Sequence, residues 1–275
     1  MNRWNEQNPA AAIRASALLL LWTNRTLLGR MALAEVRERH AGTALGLLWV
    51  VLSPLVMLGL YSTIYLGVLR LNPRGVSAAD YVLFIFSGLV PFLALSEGLV
   101  AGSQSLGANR SILRMNAFPV EILPAKSVLA SSISFGIGMA IVLSMAAILG
   151  KLTFHVLLVP FVMLGQYLFL LGVAWVLSLV NLALKDIRNL LGYAITVAMI
   201  LSPIAYRADA IPANLRWILW CNPFAYFITS YQSLISEGRL PALPIMVGAF
   251  VLSVGTFAFG YRFFRRLKMG FLAYV

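Results

Sequence analysis

The 275-residue chain is 61 % hydrophobic and 11 % charged, with a mean hydropathy of +0.88, well away from the roughly 25 % charged residues of soluble domains. That balance excludes an ordinary soluble fold, and the net charge of +12 reads as membrane topology and attraction to anionic lipid heads rather than affinity for nucleic acid. The single cysteine, Cys221, excludes an intrachain disulfide and a cysteine metal cluster, and is expected to be a small filler near the outer surface.

Residues 14–22 loosely imitate a signal peptide, but their apolar core is short and runs into Arg25 and Arg30 rather than a small-residue cleavage site. Residues 10–38 are therefore read as an interfacial helix on the cytoplasmic face, leucines on one side and arginines on the other. Six apolar runs follow, at about 45–69, 81–102, 120–149, 156–184, 190–206 and 243–264. Each suffices to cross a bilayer, which takes about 20 mainly apolar residues in a helix that satisfies its own backbone. The expected fold is all-α, a single domain over 1–275 with six transmembrane helices. Fifteen of the 21 lysines and arginines fall before span one, in the second and fourth gaps, after span six, or, as Lys126 and Arg262 do, at the adjoining ends of spans three and six. By the positive-inside rule both termini are cytoplasmic, as in a multi-pass protein of the bacterial inner membrane.

Within the runs, Pro54 and Pro203 remove backbone donors and are expected to kink or stop their helices. Gly42 with Gly46, Ser132 with Gly136 and Ser134 with Gly138 each form a small-xxx-small face that lets helices approach closely.

The segments between the runs leave no room for a catalytic domain. A phosphate-cradling loop needs G-x-x-x-x-G-K-[ST]; at Gly150-Lys151 the first glycine is replaced by Met145 and the hydroxyl residue by Leu152. H-E-x-x-H, G-x-S-x-G and a paired-aspartate diphosphate site are also absent from the sequence. Gradient-driven carriers place titratable groups near the midplane. Here, apart from Glu121 at the very edge of the third run, Glu97 is the one acid inside a run, near the cytoplasmic end of span two, where it can reach interfacial water or pair with an arginine of the preceding helix. Energy is therefore expected from a separate motor.

Several motifs recur in one order along nearly the whole chain: R-E-R-H-A-G-T-A-L-G-L-L-W from Arg37, F-P-V-E-I-L-P from Phe118 to Pro124, Lys185-Asp186-Ile187-Arg188, Ser202-Pro203 and Cys221-Asn222-Pro223-Phe224. In this arrangement the sequence resembles the ABC-2 type permeases that export lipid-linked polysaccharides such as O-antigen, capsule and teichoic acid. It departs from them at Val120, where a basic residue is common, at Lys185, where arginine is commoner, and in the tail F-L-A-Y, where an acid often appears.

The resemblance implies that residues 103–119 contain a coupling helix seated in a cleft of the ATPase. Its contact residues would be Arg110, Arg114 and Glu121 around the apolar plug Ile112, Leu113 and Phe118. It also implies that residues 207–240 hold two short re-entrant helices, 211–220 and 224–235, broken at Asn222-Pro223. Trp217, Trp220, Tyr226 and Tyr231 there fit equally an interfacial aromatic belt. Sugar faces pack on aromatic rings, so Tyr61, Tyr65, Tyr193 and Tyr206 are candidate pore-lining residues. Arg25, Arg30, Arg37 and Arg39 are candidates to receive a lipid diphosphate through bidentate contacts. The implied assembly is a homodimer with two ABC ATPase subunits, which would hold the ATP and magnesium, so this chain needs no cofactor. Its cargo would be a glycan on a polyprenyl diphosphate. Two rival readings share parts of this pattern: an ABC-2 permease for a drug or simple lipid, and a membrane-embedded glycosyl- or prenyl-transferase.

Overall fold

The computed structural model describes residues 17–68, 77–113, 118–184, 186–208 and 211–272. Among them the chain is helical, without strands. The helices are α1 (Ala17–Thr23), α2 (Arg25–His40), α3 (Trp49–Ser62), α4 (Ala78–Ala108), α5 (Arg110–Leu113), α6 (Ile122–Ile148), α7 (Val159–Ala183), α8 (Ile187–Leu201), α9 (Trp217–Cys221), α10 (Pro223–Ile235) and α11 (Leu243–Leu272).

α4 is apolar on all sides and sits at the centre, with α6, α7 and α10 packed around it. It starts cleanly because the Ser77 hydroxyl accepts the Asp80 amide (3.1 Å) while Asp80 places a negative charge in the first turn. α11 closes the far side by crossing α7 backbone to backbone: a Cβ added at Gly172 would collide with the Thr256 carbonyl, and one at Gly260 with the Gly172 carbonyl. α3 and α8 lie outside this block and touch it far less.

Four helices are long and apolar enough to cross a membrane, over Ala78–Ala108, Ile122–Ile148, Phe154–Ala183 and Leu243–Gly270. The first run forms the shorter helix Gly46–Ser62, continued by the π-helical turn Thr63–Val68. The fifth run ends at Leu201 rather than reaching residue 206, because Ser202 turns extended ahead of Pro203.

The expected interfacial helix is two helices, with α2 starting after Asn24, whose side-chain amide donates to the Leu20 carbonyl (2.9 Å). Residues 10–16 lie outside the described set. The Gly42/Gly46 pair is corrected: both residues have positive φ, 77° and 51°, in the turn after α2, and neither approaches another helix. The P-loop-like Gly150 (φ 66°) closes α6, with the Lys151 amide bonded to the Ala146 carbonyl and the Gly150 amide to the Ala147 carbonyl.

Ion pairs among the described residues fall into two groups. One contains Asp80–Lys151 (3.2 Å), Arg207–Glu237 (3.1 Å) and Arg239–Glu237 (2.7 Å). The other joins Glu35, Arg39, Glu97, Lys126, Glu121 and Lys268. Every pair joins residues that the basic-residue count assigns to the same side of the bilayer.

Candidate functional site

The second group of charges marks the candidate site. Its first part is the turn Phe118–Leu123, where the Ile122 amide bonds back to Pro119 (3.0 Å) and the Leu123 amide to Val120 (3.1 Å), starting α6. Glu121 stands at the N-cap position without capping α6. Instead its side chain turns inward, only 4 % exposed, and accepts from Lys268 Nζ of α11 at 2.6 Å. Its backbone carbonyl accepts from the indole of Trp175 (3.1 Å). Trp175 is fully buried between Phe257 and Tyr261, with centroids at 5.3 and 5.2 Å, and the Arg265 guanidinium lies over the Tyr261 ring. The F-P-V-E-I-L-P motif thus ties the start of α6 to α7 and α11.

The second part is a polar knot. Glu35 of α2 accepts from Arg39 one turn on (2.8 Å) and from the Ser127 hydroxyl of α6 (2.9 Å), and it pairs with Lys126 (3.4 Å). Arg39 donates its other terminal nitrogen to Glu97 of α4, so Glu97 does pair with an arginine, one from the interfacial helix. Lys126 reaches the side-chain carbonyl of Asn109, where α4 hands over to α5 (3.1 Å). Arg39 and Glu97 also cap a cavity of about 360 Å³ whose walls include Pro54, Leu58, Leu89, Val90 and Phe135.

The residues expected to touch an ATPase separate. Arg110 is exposed on α5, whereas Ile112, Leu113 and Phe118 are half-buried against this chain's own core. Glu121 is buried and paired, and Arg114 lies outside the described residues. The four arginines do not form one cluster, since Arg25 and Arg39 stand at opposite ends of the surface helix, about 21 Å apart at 1.5 Å per residue. Arg25 stacks on Trp22 (4.5 Å), Arg30 and Arg37 are exposed, and Arg39 is committed to two carboxylates.

Of the candidate pore tyrosines, Tyr193 is 74 % exposed on α8 and Tyr61 is half-buried on α3, its hydroxyl 3.8 Å from the Met199 sulfur. Tyr206 donates to the Leu201 carbonyl (2.8 Å), and the Tyr65 side chain lies outside the described set. Leu48 just before α3, Val51, Leu55 and Leu60 of α3, and Leu190, Val197 and Ile200 of α8, are also exposed.

At the opposite end the Ser-Pro and Asn-Pro motifs meet. Asn222 caps α10 through the Phe224 amide (3.0 Å) and donates to the Ser202 hydroxyl (2.9 Å). Gln232 donates to the carbonyls of Pro203 (2.8 Å) and Ile204 (3.2 Å). α10 is almost wholly buried and runs from Pro223 to Ile235, close to the second of the two expected short helices, 224–235. The first is shorter than expected, a 3-10 turn over Ala213–Leu215 followed by α9. Trp217 and Trp220 are exposed and Tyr231 is fully buried. Cys221 is exposed rather than a filler.

Lys268, Trp175, Glu35 and Lys126 had no functional role in the sequence reading. The last two carried a readable signal, an i,i+4 acid–base pair in α2 and a lysine inside the third apolar run.

The chain is 28 % identical over 235 residues to an O-antigen export system permease protein, RfbA, of Myxococcus xanthus, covering 84 % of this chain and 88 % of the relative. Two RfbA permeases of Klebsiella pneumoniae are 27 % and 26 % identical, each over 86 % of this chain and 90 % of the relative. The profile of the ABC-2 type transporter family matches residues 26–235. With the family model matching residues 26–235, this multi-pass helical chain belongs to the ABC-2 type transporter family.

Proposed function

We propose that this chain is the permease subunit of an ATP-driven exporter that moves a lipid-linked polysaccharide of O-antigen type out of the cytoplasm across the bacterial inner membrane. The cargo rests on one observation, the likeness over more than four fifths of the chain to three proteins named as O-antigen export permeases. As a family member the chain is a transport subunit, which sets aside the transferase reading.

In this reading all six apolar runs cross the bilayer, the α2 end faces the cytoplasm, and residues 207–240 form the outer re-entrant pair. Two copies meet across a central pathway, each docking one ABC ATPase that holds ATP and magnesium. The apolar faces that α3 and α8 leave open support both the dimer and a pathway lined by Tyr61, Tyr65, Tyr193 and Tyr206. Arg30 and Arg37, exposed on α2, are the best placed of the arginine series to meet the diphosphate, with Arg25 at the far end; Arg39 acts through its carboxylates. Arg110 and Arg114 contact the ATPase, while Ile112, Leu113, Phe118 and Glu121 hold the coupling segment on its own bundle.

Arg110→Glu with Arg114→Glu abolishes co-purification of the ATPase and stops export, leaving the chain folded. Wild-type association and export in that variant would refute the reading. Stimulation of ATP hydrolysis by the lipid-linked glycan in the reconstituted complex separates it from export of a drug or simple lipid.

A further inference from the structure

Lys126 stands within an apolar helix, and its ammonium group is held inside the protein. Its side chain is 10 % exposed, and an ammonium with three donors and so little water must find partners in the protein. Among the described residues the two it finds belong to different machinery. Asn109 is the hinge residue between α4 and α5, and its own amide donates to the Ser105 carbonyl (2.7 Å), so its carbonyl faces Lys126 in a fixed direction. Glu35 lies mid-way along the surface helix α2, which is held to α4 by Arg39 and Glu97. A displacement of the hinge therefore acts on Lys126 directly and on α2 through Glu35.

We propose that Lys126 is the positioning residue that makes the α4–α5 hinge and the surface helix α2 move as one, so that a stroke delivered at the coupling segment reaches the arginine-bearing helix at the membrane surface. This rests on the reading of residues 103–119 as the ATPase-facing segment. Lys126→Met keeps the apolar stem and removes the charge. Glu35 keeps Arg39 and Ser127, so the fold is retained.

The test is the full complex of this chain with its ATPase, reconstituted in lipid vesicles. Exported glycan and hydrolysed ATP are counted together, and the distance between spin labels on Ala34 of α2 and Ser111 of α5 is followed with and without ATP. In Lys126→Met, hydrolysis stays within about twofold of wild type, glycan moved per ATP falls at least tenfold, and the labels lose the distance they keep in wild type. Lys126→Arg restores the ratio. Asn109→Ala, which removes the hinge acceptor, reproduces the defect if the methionine variant is not recovered.

An unchanged glycan-to-ATP ratio in the variants overturns the proposal. So does a loss of export that merely follows a lowered melting temperature, because that is a structural role. A wild-type complex that fails to assemble or hydrolyse sinks the underlying reading as well. Failure confined to the Lys126 and Asn109 variants sinks this inference alone.

Discussion

The Glu121–Lys268 pair offers the sharpest energetic prediction. Lys268→Met strands a carboxylate whose side chain is 5 % exposed, and breaking a buried ion pair from one side costs about 3–5 kcal/mol. Lys268 is itself 28 % exposed, so water admitted by the truncation recovers part of that, and a loss of about 2–3 kcal/mol is expected. For a chain of this size each kcal/mol moves the midpoint by about 2–4 °C, which places Lys268→Met roughly 5–10 °C below wild type in a tryptophan-fluorescence melt of the purified protein. Glu121→Gln strands the lysine less severely, because the ammonium is closer to water. The double variant Glu121→Gln with Lys268→Met leaves no charge buried and returns to within about 1 kcal/mol of wild type, giving a coupling energy well above the few tenths expected of independent sites. Losses that simply add would show that the pair does not interact and would refute the placement of Glu121 inside the bundle.

Two further substitutions probe the packing and the opposite end. Gly172→Ala drives a methyl group into the α11 backbone at Thr256 and lowers stability by about 1–3 kcal/mol in the same melt. Gly136→Ala, whose added carbon meets nothing within 4 Å, is neutral or slightly stabilising. Asn222→Ala removes both the α10 cap and the bond to Ser202; it costs about 1–2 kcal/mol and accelerates amide exchange at the start of α10. Asn222→Asp keeps the cap and loses only the Ser202 bond, so its α10 amides remain protected.

The apolar runs were legible because a bilayer enforces their length and purity, and four of them form helices that can span. The outer helix α10 was readable because Asn222-Pro223 supplies a capping side chain and a residue suited to the first turn. The end of the fifth run was misjudged because apolar character continues past Leu201 while the helix does not. Gly42 and Gly46 misled for a related reason: spacing alone does not distinguish a packing face from two left-handed turn residues, although His40 and Thr43 around them speak for a turn. The Glu121–Lys268 contact spans 147 residues, and no local pattern announces it.

The crossing at Gly172 and Gly260 divides the molecule mechanically. With main chain resting on main chain, α7 and α11 have no side-chain layer that can slide, and α4, α6 and α10 are packed into the same body. α3 and α8 are joined to that body more lightly, α3 carrying Pro54 and continued as a π-helical turn, α8 only 15 residues long. A shape change in this permease therefore costs least as a swing of those two outer helices against a stator formed by the others, and the work of opening goes into hinges at their ends rather than into rupturing the interior.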